Sequence, residues 1–265
     1  MDLFDRLRRS KVYDLAQPYF VGMPHFPTHP PFLFGLTKKH GDMVSESGAS
    51  SSSDAIALGS HVGTHIDALC HFSCDGKLHG GVEAKTVQSD AGGLQQHSVD
   101  TIAPIVRRGV LLDVAGRLSG TELPADFNIT PEHLESAAKA QGVEIQNGDV
   151  VLLRTGWARF WNDAARYITG GHGITATGPG PEIEGARWLS KRGVFAVGSD
   201  TVAFERVPSA MAVHVHLLVE SGVHIIEALN LEELAHERVY EFVFMAAPLK
   251  IRGGTGSPIR PLALT

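Results

Sequence analysis

Between residues 61 and 71 the chain reads His61-Val62-Gly63-Thr64-His65-Ile66-Asp67-Ala68-Leu69-Cys70-His71, and this run limits what the rest of the molecule can be. Three imidazoles and a carboxylate packed this closely form the donor set of a divalent-cation site, compatible with zinc, manganese, iron or nickel. His61 and His65 are four residues apart, a spacing that would put both rings on one face of a helix. The β-branched Val62, Thr64 and Ile66, with Gly63 among them, disfavour that helix. Drawn out as a straight strand, the same two residues would stand roughly 13 Å apart, too far to share an ion. A bend at Gly63-Thr64 that folds His61 back toward His65 resolves the conflict, and glycine tolerates such a bend. Asp67 then shares a face with His65 on a short extended piece, and His71 approaches the same place from beyond the ligands. A lone histidine is ordinarily a satisfied or exposed residue. The density of this run is what argues against scattered polar side chains.

The remaining chain sets the context. It has 265 residues, 43% of them hydrophobic and 20% charged, with a formal net charge of −6. That describes a globular chain with a sizeable core, organised as a single domain over 1–265. A basic footprint for nucleic acid is absent, as is a polybasic patch for a membrane surface. The two cysteines, Cys70 and Cys74, are too few and too close for a disulfide framework or a structural zinc knuckle. Free thiols suit a reducing compartment, no apolar run reaches the length of a membrane span, and residues 1–10 are charged rather than signal-like. The expected location is the cytoplasm.

Apolar runs and breakers then alternate. Met1 to Arg9 is a short amphipathic start and Lys11 to Leu15 a strand. From Gln17 to Phe32 prolines, aromatics and histidines interleave in an ordered loop, whose Phe20, Phe26 and Phe32 either line an aromatic pocket or pack on the core. Ala55 to Leu58 is a strand, Val99 to Arg107 a short helix with Gly109 as its exit, and Val110 to Val114 a buried strand. Thr130-Pro131-Glu132 is a helix start, with the helix running to Gln141 and stopping at Gly142. Asp149 to Arg154 is a strand whose end, Thr155-Gly156-Trp157, lies where ligand sites occur in α/β folds. Trp157 and Trp161 either pack together or face a substrate ring. Tyr167 to Pro181 is glycine-rich without the Gly-Lys-Ser/Thr ending of a phosphate loop, which leaves a loop over the site with His172 in reach of substrate. Glu182 to Arg192 and Pro208 to Val219 are helical, and Val194 to Val197, Val223 to Glu227 and Val239 to Ala246 are strands. This alternation predicts an α/β fold.

The motif His61-x-Gly63-Thr64-His65-x-Asp67-x-x-x-His71 resembles the signature of the metal-dependent cyclase family of hydrolases, which includes bacterial kynurenine formamidase and isatin hydrolase. The resemblance extends through Asp14-Leu15, Gly22-Met23-Pro24, Leu153 to Trp157, Gly198 to Thr201, Ala247 to Lys250 and Gly254 to Arg260, nearly the whole chain. One position departs: the family often carries proline two residues after the aspartate, where this chain has Leu69. The resemblance implies a β-barrel-like mixed sheet surrounded by helices, and a homo-oligomer, dimer or tetramer, with the proline-rich N-terminal loop as a subunit contact. It also implies a metal centre of His61, His65 and Asp67 completed by His214 and Glu227, with one or two Zn²⁺ or Mn²⁺ ions and Asp67 or Glu227 as a bridge. His216 competes with His214, but two residues apart on a helix only one can face the ion.

The expected chemistry is hydrolysis of an amide C–N bond in a small aromatic N-formyl or cyclic amide. A divalent ion lowers the pKa of its water from about 15.7 to about 7, and the water attacks the carbonyl. An amide nitrogen leaves poorly without a proton, and His71 is placed to deliver it. Phe26, Trp157 and His172 are the candidate substrate contacts. Lactone or ester hydrolysis at the same site is the alternative, and a non-catalytic metal-dependent binding protein is the rival from another class. A serine hydrolase is disfavoured because no Gly-x-Ser-x-Gly elbow is present.

Overall fold

Apolar runs with no polar interruption must be covered on both faces, and four of them form the middle of one sheet. The computed structural model of the chain describes residues 2–118, 120–171 and 175–265. In chain order the principal strands are β1 (Val12–Asp14), β2 (Leu33–Lys38), β3 (Ser53–Ala57), β4 (His65–Asp67), β5 (Ile105–Asp113) and β6 (Val150–Arg154). They continue with β7 (Ala196–Ser199), β8 (His224–Glu227), β9 (Glu241–Ala246), β10 (Gly256–Pro258) and β11 (Leu262–Leu264). A nine-stranded sheet runs β1-β11-β9-β5-β6-β7-β8-β4-β10. Strands β5, β6, β7 and β8 are parallel neighbours, while β9, β11 and β1 on one side and β4 and β10 on the other pair antiparallel. The expected α/β architecture is borne out, as a mixed half-barrel with helices around it.

Period-two alternation divides the sheet's side chains between two cores. Leu111, Leu152, Ala196 and Ile226 join Tyr13, Leu15, Ile66, Phe242 and Phe244 on one face. Val110, Leu112, Val151, Leu153, Val197 and Ile225 point the other way, under the helices. Helix α1 (Leu3–Arg9) is not among them, its Phe4 and Leu7 being exposed; the cover is α2 (Pro131–Gln141), α3 (Ile183–Ser190) and α4 (Ala212–His214), the last continuing as a π-helix over Val215–Ser221. Helix α2 matches its sequence signals: His133 Nδ1 accepts from the Thr130 backbone N–H at 3.1 Å, and Gly142 ends it at φ +68°. Leu134, Ala137, Ala186, Leu189, Val213, Leu217 and Leu218 carry the helical side of that second core. Among the described residues, no helix is long and apolar enough to cross a membrane.

Three expectations are corrected. Val99 to Arg107 is not a helix: Val99–Thr101 is a single 3₁₀ turn, and the chain enters β5 at Ile105. Pro104 and the β-branched Ile105-Val106 favour the extended form. Gly109 is therefore not a helix exit but a mid-strand residue, and a Cβ there would lie 2.2 Å from the Phe242 ring. Tyr167 does not open a loop, since it belongs to the helix Ala164–Thr169 and donates its hydroxyl to the Asp200 carbonyl at 3.0 Å. Pro208 lies outside the helical segment, which begins at Ala212 after Met211 in the left-handed region at φ +59°.

Candidate metal centre

Strand register assembles the site. In the antiparallel pair β4–β8, His65 stands opposite Glu227, and Ile66 opposite Ile226. Directly opposed residues share a face, and residues two apart on a strand do as well. His65, Asp67 and Glu227 therefore project together on the helix-covered face, while Ile66 and Ile226 enter the other core. Helix α4 supplies His214 from above that face.

The bend expected at Gly63 is present, with φ +71°. Only glycine fits, because a Cβ would lie 2.3 Å from the Tyr19 ring, whose hydroxyl sits 3.0 and 2.9 Å from the Val62 and Thr64 carbonyl oxygens. Thr64 fixes the bend: its hydroxyl donates to the Ala228 carbonyl at 2.6 Å and accepts from the Gln17 N–H at 2.8 Å. His61 is thereby turned back, and its Nδ1 lies 2.7 Å from Asp67 Oδ1 and its Nε2 2.9 Å from Thr255 Oγ1.

Two groups of donor atoms result, sharing Asp67: His61, His65 and Asp67, and Asp67, His214 and Glu227. His65 Nε2 lies 3.5 Å from Asp67 Oδ1 and 3.4 Å from Glu227 Oε2, while His214 Nε2 lies 3.2 Å from Glu227 Oε1 and 3.9 Å from Asp67 Oδ2. Ligand atoms around a tetrahedral zinc at bond lengths of about 2.0–2.2 Å stand about 3.4 Å apart, so these spacings suit a cation. The His61–Asp67 contact is closer, at hydrogen-bond length, and would have to open slightly.

The decisive fit is in the unpartnered atoms. His65 Nε2 and Asp67 Oδ2 are buried with no hydrogen-bond partner among the described residues. His65 Nδ1 donates to the Gly63 carbonyl at 2.8 Å, so the neutral ring would present its Nε2 lone pair to an ion among the carboxylate oxygens. Buried acceptors that converge without a donor cost free energy, and a cation removes that cost. The residues present therefore fit a divalent ion.

Charge coupling follows from the packing. Burial alone would raise Asp67, yet the surrounding imidazoles of His71 and His61 hold it well below the usual carboxylate range. Burial opposes protonation of His214, but Glu205 and Glu227 raise it to about 10. Burial pushes His71 down to about 3, with Asp67 only partly offsetting it.

His71 sits on the 3₁₀ turn Leu69–His71 and stacks on His61, with ring centroids 3.7 Å apart. Cys70, next to it, turns away toward the Gly254 carbonyl, and both cysteines are free thiols. A cavity of about 300 Å³ opens over these groups, walled by Phe26, Phe72, Val202 and Met211 with His29 at its side. Phe26 thus lines the cavity. Trp157 does not: it lies buried beside Tyr167 with its indole N–H donated to the Leu123 carbonyl at 3.2 Å. Its ring contacts are Phe160 and Tyr167, and Tyr167 also touches Trp161. His172 lies outside the described residues. His216 faces away from the site, toward Glu220 and Ser190.

His29, Thr255 and Glu205 carry no separate signal in the sequence. His29 Nδ1 sits 3.1 Å from the His61 carbonyl, yet in sequence it is one of two histidines in a proline-rich loop.

The chain matches the family described as "putative cyclase" over residues 13–206. Isatin hydrolase from Roseibium aggregatum is 28% identical over 218 residues, covering 79% of this chain and 73% of the relative. Kynurenine formamidase from Bacillus cytotoxicus is 24% identical over 259 residues, covering 97% of this chain and 98% of the relative. A solved structure described as a novel cyclase has a TM-score of 0.87 at 30% identity, covering 99% of this chain and 92% of that one. Because the matched stretch ends before His214 and Glu227, it is the register of β4 and β8 and the seat of α4 that bring those two residues to the site. From the bend at Gly63 to the shared architecture, the observations agree that this chain belongs to the cyclase family.

Proposed function

We propose that this chain is a metal-dependent amidohydrolase that cleaves the C–N bond of a small aromatic N-formyl or cyclic amide. The observation that carries the reading is the pair of partnerless buried acceptors, His65 Nε2 and Asp67 Oδ2, at the floor of an aromatic-walled cavity. The substrates named for kynurenine formamidase and isatin hydrolase support the amide class. His61, His65, Asp67, His214 and Glu227 would hold one or two ions, Zn²⁺ or Mn²⁺. A bound divalent ion supplies Lewis acidity and a water acidic enough to act near neutral pH.

The protein's own side chains do the rest. His71, pushed down by burial and held flat against His61, is neutral at physiological pH and in the form that accepts a proton. A proton taken by His71 from the attacking water and passed to the departing nitrogen removes the need to expel an amide anion. Phe26 and Phe72 offer ring faces for an aryl substrate, and with Val202 and Met211 they keep bulk water from the reacting carbonyl.

The test is turnover of a panel of N-formyl aryl amines, isatin, aryl lactones and phenyl esters by protein loaded with Zn²⁺ or Mn²⁺, against protein stripped with a chelator. Ion-dependent hydrolysis with the amides favoured is the expected result. Preference for the lactones or esters would replace the amide reading with the ester one. Tight binding of one compound with hydrolysis of none would make the chain a binding protein.

A further inference from the structure

Glu205 has no role in any of the chemistry above, yet it is buried as deeply as the donors themselves, at 2% exposure. A carboxylate so placed is costly unless every oxygen is paired. Its Oε1 accepts from the His214 backbone N–H at 3.0 Å and lies 2.7 Å from His214 Nδ1, and its Oε2 accepts from the Ser209 hydroxyl at 2.6 Å. The residue before it completes the pattern: the Phe204 backbone N–H donates to Glu227 Oε1 at 2.8 Å. A single dipeptide, Phe204-Glu205, thus holds both residues that join Asp67 in the second donor group.

From this geometry we infer that Glu205 is a positioning residue for the second cation position: it fixes His214 with Nδ1 turned to a carboxylate and Nε2 turned to Asp67 and Glu227. The inference rests on the reading that the site holds cations. The two positions are built differently. In the first group the Nδ1 of His65 meets only a neutral backbone carbonyl, that of Gly63. In the second group an anion stands behind the ring, an arrangement that orients a ligating histidine and makes it a stronger donor. Ser209 braces the anion from the cavity side, where it is itself part of the wall, and its hydroxyl oxygen also accepts from the Met211 N–H at 3.0 Å. Met211, in the left-handed region, is the residue from which α4 and His214 depart.

The experiment is a zinc titration of the full chain against a chromogenic chelator, repeated with Co²⁺ to read the visible absorption of each position, on wild type, E205A and E205Q. Melting curves of the stripped proteins report folding. Wild type should take up two ions per chain. E205A should keep the first and bind the second about 10–100-fold more weakly, with the second Co²⁺ spectrum altered. E205Q keeps an acceptor for Nδ1 without the charge, so it should weaken the second ion by less than E205A and leave the first alone. If E205A does not fold, E205Q decides: a variant that weakens neither ion, or both equally, overturns the assignment. A folded E205A with unchanged second-ion affinity overturns it as well. Wild type that takes up a single ion overturns the second position and the role of Glu205 with it, but leaves amide hydrolysis standing if that ion supports turnover.

Discussion

His71 lies flat on His61, with ring centroids 3.7 Å apart. The stack places His71 over the donor groups without making it a member of either. H71A is therefore expected to retain its ions and to lose about 10²–10⁴-fold in kcat on amides, the usual share of acid–base catalysis. Esters with good leaving groups should suffer less, because they need no proton on departure. Ion content by atomic emission, measured beside kcat, checks the assignment. A variant that sheds its ions while keeping its turnover per bound ion would show His71 to be a ligand. At this scale, legibility depended on sequence distance. His61, His65 and Asp67 could be placed from local backbone chemistry, because β-branching and one glycine leave a single way to bring them together. His214 and Glu227 came only from family resemblance, and Glu205 from nothing, since an acid paired across a loop leaves no trace in spacing.

Strands and helices were legible where one period governed a run, as at Val150 to Arg154 and Pro131 to Gln141. They are ambiguous where a glycine has two explanations: Gly109 marks the close approach of Phe242 inside β5, not the end of a helix. Trp157 lies away from the cavity wall for a related reason, because the chain after β6 is tied down rather than open. Asp200 there accepts from the Thr155 N–H and hydroxyl and from the Gly156 N–H, at 2.8, 2.6 and 2.8 Å. Burial nevertheless pushes its carboxyl up to about 6, the donors of Thr155 only partly offsetting it. The sign of the pH effect follows. Between about pH 4 and pH 6 the folded chain holds a proton on Asp200 that the unfolded chain has released, so this group's contribution to stability falls as pH rises through that window. D200A removes the titration and three acceptor contacts, leaving buried donors unpaired. It should destabilise at every pH, by more at pH 4.5 than at pH 7, with the gap approaching about 2 kcal/mol. Urea unfolding at the two pH values measures it. A penalty that grows with pH would mean that the three donors outweigh burial and hold Asp200 as a carboxylate.

At the scale of the whole molecule, one part is unlike the rest. Every residue from 33 to 57 except Lys38 is exposed, a run that forms the hairpin of β2 and β3. Phe34 and Leu36 share a face by alternation, and Ile56 joins them as the cross-strand partner of Phe34. They are 50%, 52% and 59% exposed. A two-stranded ribbon is marginal alone, and an apolar face on it needs cover. The loop before it buries Met23 and Phe32 in the chain's own core, whereas the hairpin presents its apolar side chains outward. The run 33–57 is about the 20–30 residues a side that a standard interface uses, and an apolar ribbon face is self-complementary about a two-fold axis. A second copy of this chain is the expected occupant. The hairpin also joins the cavity wall at Phe26–His29 to the donor His61, so self-association would brace the site from outside. Light scattering coupled to size exclusion should give at least twice the chain mass for wild type, and the double variant F34E/I56E should run as a monomer with its ion content unchanged. A monomeric wild type of full activity would leave the ribbon without this purpose, and a double variant that stays assembled would move the interface elsewhere on the molecule.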